Sequence, residues 1–148
     1  MSFDFDAALD AAVERKTNDP DSASAQIVLG GKPVTLKFTE MPGREWAQCT
    51  LVALPREGNI VDATFGFNVN VASELAAPLS GVRVDGEENK ELTPAQWSKL
   101  FQGVDARGRQ AIVDAVIAAN ESAHIGRLNA AKKALEDASK PKPSSPAN

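Results

Sequence analysis

The clearest pattern in the chain is an alternation of apolar and polar positions between residues 26 and 38. The apolar run 27–29 ends at Gly30 and Gly31, and apolar residues then recur at every second position from 34 to 38. A period of two is typical of a strand buried on one side, and a glycine pair supplies the positive φ angles of a tight turn. These residues therefore predict a β-hairpin.

Apolar residues at spacings of three and four predict helices along most of the remaining chain. Helices are expected at about 2–14, 42–54, 94–103, 108–120 and 123–139. Another should begin after Asn68 or Asn70, and Pro78 should limit it to about two and a half turns. Gly126 is expected to kink or break the helical pattern near the end of the chain.

The sharpest predicted boundary is the segment Thr93-Pro94-Ala95-Gln96. The side chains of Thr93 and Gln96 can exchange hydrogen bonds with each other's backbone amides, and Pro94 suits the first helical turn. This combination predicts a helix that begins at Pro94.

Each predicted helix carries an apolar stripe that indicates its buried side. The predicted core positions are Trp46, Cys49, Ala53, Trp97, Leu100, Ile112, Val113, Val116 and Ile117. Both tryptophans lie on such stripes, so we expect them in the core rather than as exposed partner contacts.

Three segments carry no decisive helical or strand pattern. Residues 16–24 are polar and aperiodic, which predicts a linker. Residues 59–67 leave strand and loop equally open. Residues 82–84, followed by a strongly polar stretch, fit either a small strand and turn or a surface loop.

Composition indicates a thin core. Apolar residues make up 43% of the 148 residues, but 24 are alanines and only 34 are Leu, Ile, Val or Phe. The predicted fold is α+β: a small, mainly α-helical domain with an N-terminal β-hairpin and flexible N- and C-terminal arms. The expected parts are an acidic arm with a short helix and linker (1–24), a folded α+β domain (25–122), a C-terminal helix (123–139) and a disordered tail (140–148).

The net charge of the chain limits which classes of binding partner are expected. Sixteen basic and twenty acidic residues give a net charge of -4, whereas nucleic-acid binding requires clustered Lys and Arg. No apolar run approaches the roughly 20 residues of a membrane span, and the first residues lack the pattern of a secretory signal. We therefore expect neither nucleic acid nor membrane as a partner, and a cytoplasmic location.

Candidate catalytic groups are few. The chain has one cysteine, Cys49, one histidine, His124, and no tyrosine. Cys49 is expected to be a small buried apolar residue and His124 to complete a helix contact. Spacings typical of metal ligands, nucleophile elbows and dinucleotide-binding loops do not occur. The sequence therefore predicts a protein that is not an enzyme and uses no metal or cofactor.

The two ends carry opposite charge. The first 24 residues have a local charge of -4 and residues 127–148 a local charge of +3. This asymmetry favours reversible docking on other polypeptides. Leu128 and Leu135 lie on the last helix, apart from the main apolar clusters, and we predict them to be exposed partner contacts.

The order of motifs between residues 34 and 121, about 60% of the chain, is distinctive. The motifs are Val34-Thr-Leu-Lys-Phe38, Pro42-Gly-Arg-Glu-Trp46, Gly66-Phe-Asn68, Val84-Asp-Gly86, Leu92-Thr-Pro-Ala-Gln-Trp97 and Ile112-Val-Asp-Ala-Val116. In this order they resemble the tail assembly chaperones of long-tailed, siphovirus-type bacteriophages. The likeness is to the short, unshifted product encoded upstream of the tape-measure protein.

The resemblance implies a protein that acts in the host cytoplasm and is not expected in the mature virion. It would bind the tape-measure protein and bring tail-tube protein to it. Ribosomal frameshifting in this family also makes a longer product, so a frameshifted form of the chain is a further implied partner. The family supplies no catalytic residues and no cofactor.

Other functions stay open on the sequence alone. A structural phage tail or head–tail connector subunit would remain in finished virions, unlike a chaperone. A small enzyme or regulator is a further alternative, if the residues of its site come together only when the chain folds. DNA-binding regulation is the least favoured class because a basic recognition helix and overall positive charge are both missing.

Overall fold

The computed structural model describes residues 2–141, which form seven α-helices, one π-helical turn and a four-stranded sheet. The helices are α1 Phe5–Asn18, α2 Gly43–Leu51, α3 Ile60–Phe65, α4 Val69–Ser80, α5 Pro94–Gly103, α6 Ala106–Ile117 and α7 Ala123–Ser139, with the π-helical turn at Ala118–Ser122. The strands are β1 Ser22–Leu29, β2 Lys32–Thr39, β3 Gly81–Asp85 and β4 Glu88–Lys90. This is the predicted mainly helical α+β fold; residues 142–148 of the predicted tail lie outside the described residues.

The sheet is antiparallel throughout, in the order β1-β2-β3-β4. β1 and β2 form the predicted hairpin, with Leu29 opposite Lys32 across a two-residue turn. The φ angles of Gly30 and Gly31 are 57° and 75°, which is the left-handed backbone that a type I′ turn requires. The hairpin prediction is confirmed, and the undecided segment 82–84 belongs to β3.

The most deeply buried layer lies between the hairpin and α6. Leu36 and Phe38 of β2, and Ile112 and Val116 of α6, have no exposed surface. Strand alternation places the first pair on one side of the sheet, and a spacing of four places the second pair on one side of the helix. The predicted inward stripe of α6 is therefore confirmed.

The capping box at the start of α5 is also confirmed. The Thr93 hydroxyl accepts a hydrogen bond from the Gln96 amide at 3.2 Å, and the Gln96 side chain accepts one from the Thr93 amide at 2.8 Å. The first turn of the helix then brings Trp97 against Phe38, with ring centroids 6.1 Å apart. Trp46 and Trp97 are both buried, as predicted.

The segment 59–67, undecided between strand and loop, contains a helix instead. α3 is capped at its start by Asn59, whose side chain accepts from the Asp62 amide at 3.0 Å, and after its last residue by Gly66, which has a φ angle of 88°. At six residues it is too short for a periodic stripe to be visible in the sequence. Hydrogen bonds to the side chains of Asn59 and Asp62 compensate for the weak helical preference of so short a segment.

Pro78 does not shorten α4 as predicted, because the helix continues to Ser80. Proline lacks the N–H that would bond to the carbonyl one turn earlier. The last turn is closed by other donors: the Ser80 hydroxyl bonds to the Ala76 carbonyl at 3.0 Å, and the Gly81 amide bonds to the Ala77 carbonyl.

The helical irregularity near the end of the chain is at 118–122, and the predicted break at Gly126 was wrong because α7 passes through that residue. The π-helical turn places Asn120 where its side-chain oxygen accepts from the Met41 amide at 2.9 Å and its amide donates to the Val116 carbonyl at 3.0 Å. This contact over 79 positions of sequence has no local signature.

The predicted linker 16–24 is shorter in the structure, since α1 runs to Asn18 and β1 begins at Ser22. Arg15, in the last turn of α1, donates to both carboxylate oxygens of Glu40 at 3.0 and 3.1 Å. This two-pronged ion pair joins the exposed helix to the end of the hairpin.

A second exposed helix reaches the same place. Glu40 accepts from the Asp21 amide at 3.1 Å, and Arg127 of α7 forms an ion pair with the Asp21 carboxylate. We call Arg15, Asp21, Glu40 and Arg127 the charged corner. It links the end of α1 and the first turns of α7 to the hairpin.

Gly81 lies in a closely packed part of the core, and substituting it tests that packing. A Cβ at this position would lie 2.6 Å from a Phe38 ring carbon and 2.8 Å from both the Ala77 carbonyl oxygen and a Trp97 ring carbon. We expect Gly81→Ala to lower the free energy of unfolding by about 1–3 kcal/mol, because overpacking forces these groups apart. Urea denaturation measures the change.

The matched control is Gly103→Ala in α5, where an added Cβ meets nothing within 4 Å. It should leave the free energy of unfolding within about 0.5 kcal/mol of the parent value or raise it slightly. Equal effects of the two substitutions would contradict the close packing described at Gly81.

Candidate polypeptide-binding surface

The most exposed apolar side chains of the body lie together in one short segment. We call residues 51–61, from the end of α2 to the start of α3, the apolar knuckle. Its exposed large side chains are Leu51 (80%), Val52 (66%), Leu54 (79%), Ile60 (82%) and Val61 (51%). A concentration of exposed large apolar side chains in one short segment favours an interaction surface over the chance exposure of single residues.

The knuckle is held by one buried carboxylate, that of Asp62, which has no exposed surface. One oxygen accepts from the Arg56 amide at 2.9 Å and from its guanidinium Nε at 2.8 Å. The other accepts from Arg56 Nη2 at 3.0 Å and from the Val69 amide at 3.2 Å. Asp62 thereby ties the middle of the knuckle to the start of α4.

These donors keep the buried carboxylate ionised. Hydrogen bonds from the Arg56 guanidinium, followed by those from the two backbone amides, hold the pKa of Asp62 well below its ordinary value of 3.8, although burial alone would raise it. A backbone hydrogen bond from the Asn68 amide to the Ala53 carbonyl at 2.9 Å adds a further tie. The exposed apolar side chains thus project from a segment with a defined backbone.

An apolar groove of about 520 Å³ runs beside the knuckle. Its lining includes Thr50, Leu51, Leu54, Phe65, Phe67 and Glu121. Two of its lining residues are aromatic: the ring centroids of Phe65 and Phe67 lie 6.0 Å apart. Trp46 packs edge to face against Phe67, with centroids 5.7 Å apart.

The groove is lined by a single carboxylate, that of Glu121. Glu121, in the π-helical turn, accepts a hydrogen bond from the Trp46 indole at 2.6 Å through one of its oxygens. Apolar walls with one negative charge fit an amphipathic helix that carries a basic side chain beside its apolar stripe. The groove and the knuckle together are the candidate site.

The two partner contacts predicted from the sequence lie elsewhere. Leu128 and Leu135 are 44% and 74% exposed on α7, which buries no residue. The residues that line the groove include none from α7. The structure therefore places the two leucines on a separate surface, and their role as partner contacts stays a prediction.

The candidate catalytic groups do not converge in this site. Cys49 is buried on α2, and burial, with the nearby Glu45 carboxylate, raises the pKa of its thiol. His124 is exposed on α7, so the predicted helix contact does not bury it. Among residues 2–141, no three His, Cys, Asp or Glu side chains are grouped to hold a metal ion, and none of the helices there has the length and apolar character to cross a membrane.

Sequence reasoning missed both Asp62 and the knuckle. The available signal was a set of large apolar residues around Pro55 and Gly58, out of phase with the inward stripe of α2. Asp62 gave no signal of its own, because its partners Arg56 and Val69 become neighbours only when the segment closes on itself.

Comparison of the chain with known family models, curated proteins and solved structures finds no match. The resemblance to tail assembly chaperones consequently stays a prediction carried by the order of motifs.

Substitution of Asp62 tests the electrostatic tie of the knuckle. Because the pKa of the carboxyl is lower in the folded chain than in the unfolded chain, its stabilising effect is present above about pH 4 and is lost as the pH falls below that value. We expect Asp62→Asn to lower the Tm near pH 7, and the difference from the parent to stay constant down to about pH 4 and to narrow progressively as the pH falls further. Thermal unfolding followed by circular dichroism measures both.

Asp114→Asn is the control, since Asp114 is exposed and bonds only to Gln110 on its own helix. Its effect on the Tm should be small at every pH. A Tm difference for Asp62→Asn that does not change with pH would argue against an ionised carboxylate at this position.

Proposed function

We propose that this chain is a non-catalytic tail assembly chaperone of a long-tailed bacteriophage that binds the tape-measure protein through the apolar knuckle and its groove. The observation that carries the proposal is the cluster of five large apolar side chains, at least half exposed, on a segment held by the buried Asp62. The order of sequence motifs supplies the particular client.

A chaperone of this kind must bind apolar side chains of its client and later release the client. A pre-formed binding surface reduces the entropy that must be lost on binding. The knuckle is small, and the net charge of -4 favours solubility when the client is absent. These features suit a protein that covers an aggregation-prone helix and is later displaced.

The wider role that we propose in tail assembly is taken from the resemblance to tail assembly chaperones. The chaperone would act in the host cytoplasm, bring tail-tube protein to the tape-measure protein, and leave before the virion is complete. A longer product made by ribosomal frameshifting would share this folded body and the same knuckle.

The decisive experiment is co-expression with the tape-measure protein encoded beside it. The variant Leu51→Ser/Leu54→Ser/Ile60→Ser should reduce the co-purified client at least about tenfold, because each apolar contact at the centre of an interface is worth about 1 kcal/mol or more. Its Tm should stay near the parent value, since all three side chains are exposed. Affinity purification with quantitative mass spectrometry measures the client.

Val28→Ser/Val71→Ser/Leu79→Ser is the matched control, because it removes three exposed apolar side chains from other surfaces. It should retain the client. Equal loss in both variants, or undiminished client in the knuckle variant, would contradict this binding site.

One observation favours a structural tail or connector subunit as a second candidate. β1 is an edge strand of eight residues with no charge and no proline, although proteins usually protect such edges with one or the other. Stacking of subunits through this edge would suit a tube or ring. Quantitative mass spectrometry of purified virions separates the candidates: a chaperone should be missing, and a stoichiometric amount would support the structural subunit.

A further inference from the structure

The first helix, α1, is attached to the body by charge rather than by apolar packing. It buries no residue, and its large apolar side chains Phe5, Leu9 and Val13 are exposed. In the described part of the chain, every side-chain hydrogen bond and ion pair between this helix and the body ends on Asp21 or Glu40 of the charged corner. The position of α1 therefore depends on those two carboxylates.

Glu40 is the centre of this attachment. Its side chain is only 10% exposed, and it accepts from both guanidinium nitrogens of Arg15 and, at 3.1 Å, from the Asp21 amide. The Lys16 ammonium lies 3.8 Å from one of its oxygens. A two-pronged, partly buried pair of this kind contributes more than an exposed ion pair, which contributes little. Loss of the Glu40 charge would therefore remove most of the attachment.

Asp21 holds two like charges near each other. Its carboxylate lies 3.6 Å from the Arg15 guanidinium and also pairs with Arg127 of α7. Burial, followed by the nearby Arg15 charge, lowers the pKa of Arg127 below its ordinary value. The ends of the two helices therefore stay together only while a carboxylate lies between their guanidinium groups.

α1 depends on this attachment for its helical structure. It has 14 residues, and helices shorter than about 12–15 residues are marginal in water without tertiary contacts. The attachment is also sensitive to salt, because the distance over which charges interact falls from about 10 Å in 0.1 M salt to about 3 Å in 1 M salt. The apolar layer between the hairpin and α6 contains no charge for salt to screen.

We infer that the charged corner is a salt-sensitive latch for α1. When the latch is closed, α1 is a helix that presents its apolar stripe in a fixed direction. When it is open, α1 is an unfolded arm and the body remains folded. The latch belongs to the free chain and needs no client, so its failure would leave the proposed binding of the tape-measure protein at the apolar knuckle standing.

Hydrogen–deuterium exchange followed by mass spectrometry tests the latch in the parent chain. The backbone amides of α1 should exchange at least about fivefold faster in 1 M than in 0.05 M NaCl, since local opening governs their exchange. Those of β2 and α6 should not change. Equal protection of α1 at both salt concentrations, or no protection at either, would overturn the inference.

A variant of Glu40 separates the latch from general effects of salt. Glu40→Gln should accelerate the exchange of α1 at least about fivefold in 0.05 M NaCl, with little further change in 1 M. Asp85→Asn is the matched control, because Asp85 pairs with Lys90 at 3.0 Å and with Arg83 at 3.7 Å elsewhere on the surface. It should leave the exchange of α1 unchanged, and an effect equal to that of Glu40→Gln would contradict the latch.

A double variant shows whether Arg15 and Glu40 act as one pair. Arg15→Gln alone should accelerate the exchange of α1 about as much as Glu40→Gln does. The two substitutions together should add little, because either one already removes the ion pair. Fully additive effects would overturn the assignment of the latch to this pair, and unchanged exchange in β2 and α6 shows in each variant that the body is folded.

Discussion

The contact between the hairpin and α6 is the interaction on which the rest of this structure depends. Leu36 and Phe38 meet Ile112 and Val116 there without any exposed surface. In a chain with few large apolar residues, one dense layer must supply most of the stabilisation that opposes the loss of conformational entropy. α4, α5 and the turn before α7 are added around this layer, and they determine where the remaining apolar residues emerge.

Because the core is concentrated in this one layer, many large apolar side chains remain exposed on the surface. Sixteen are exposed among the described residues, and most lie in four groups: the apolar knuckle, α1, the outer side of α4, and α7. Their grouping argues for binding surfaces rather than chance exposure. Asp62 shows how the fold keeps one such group ordered, because four hydrogen bonds to a buried carboxylate compensate for a segment with little apolar packing of its own.

Sequence patterns succeeded where the determining interactions are local. The Gly30-Gly31 turn and the Thr93–Gln96 capping box depend on neighbours at most three residues apart, so both were predictable. The helix ends predicted from Pro78 and Gly126 were wrong, because a local preference does not by itself determine where a helix ends. A Ser80 hydrogen bond helps to close the last turn of α4 after Pro78, and α7 continues through Gly126. α3 was missed because Asn59 and Asp62 replace the periodic stripe that a longer helix would show.

The sequence by itself determined the α+β class, the hairpin, the inward stripe of α6 and the burial of both tryptophans, because hydrophobic periodicity records which side of an element avoids water. Only the tertiary structure decided that residues 51–61 form an exposed surface, that Arg56 and Val69 converge on Asp62, and that Asn120 reaches Met41. These features join residues through backbone closure and burial. Those are properties of the folded chain and leave no regular spacing in the sequence.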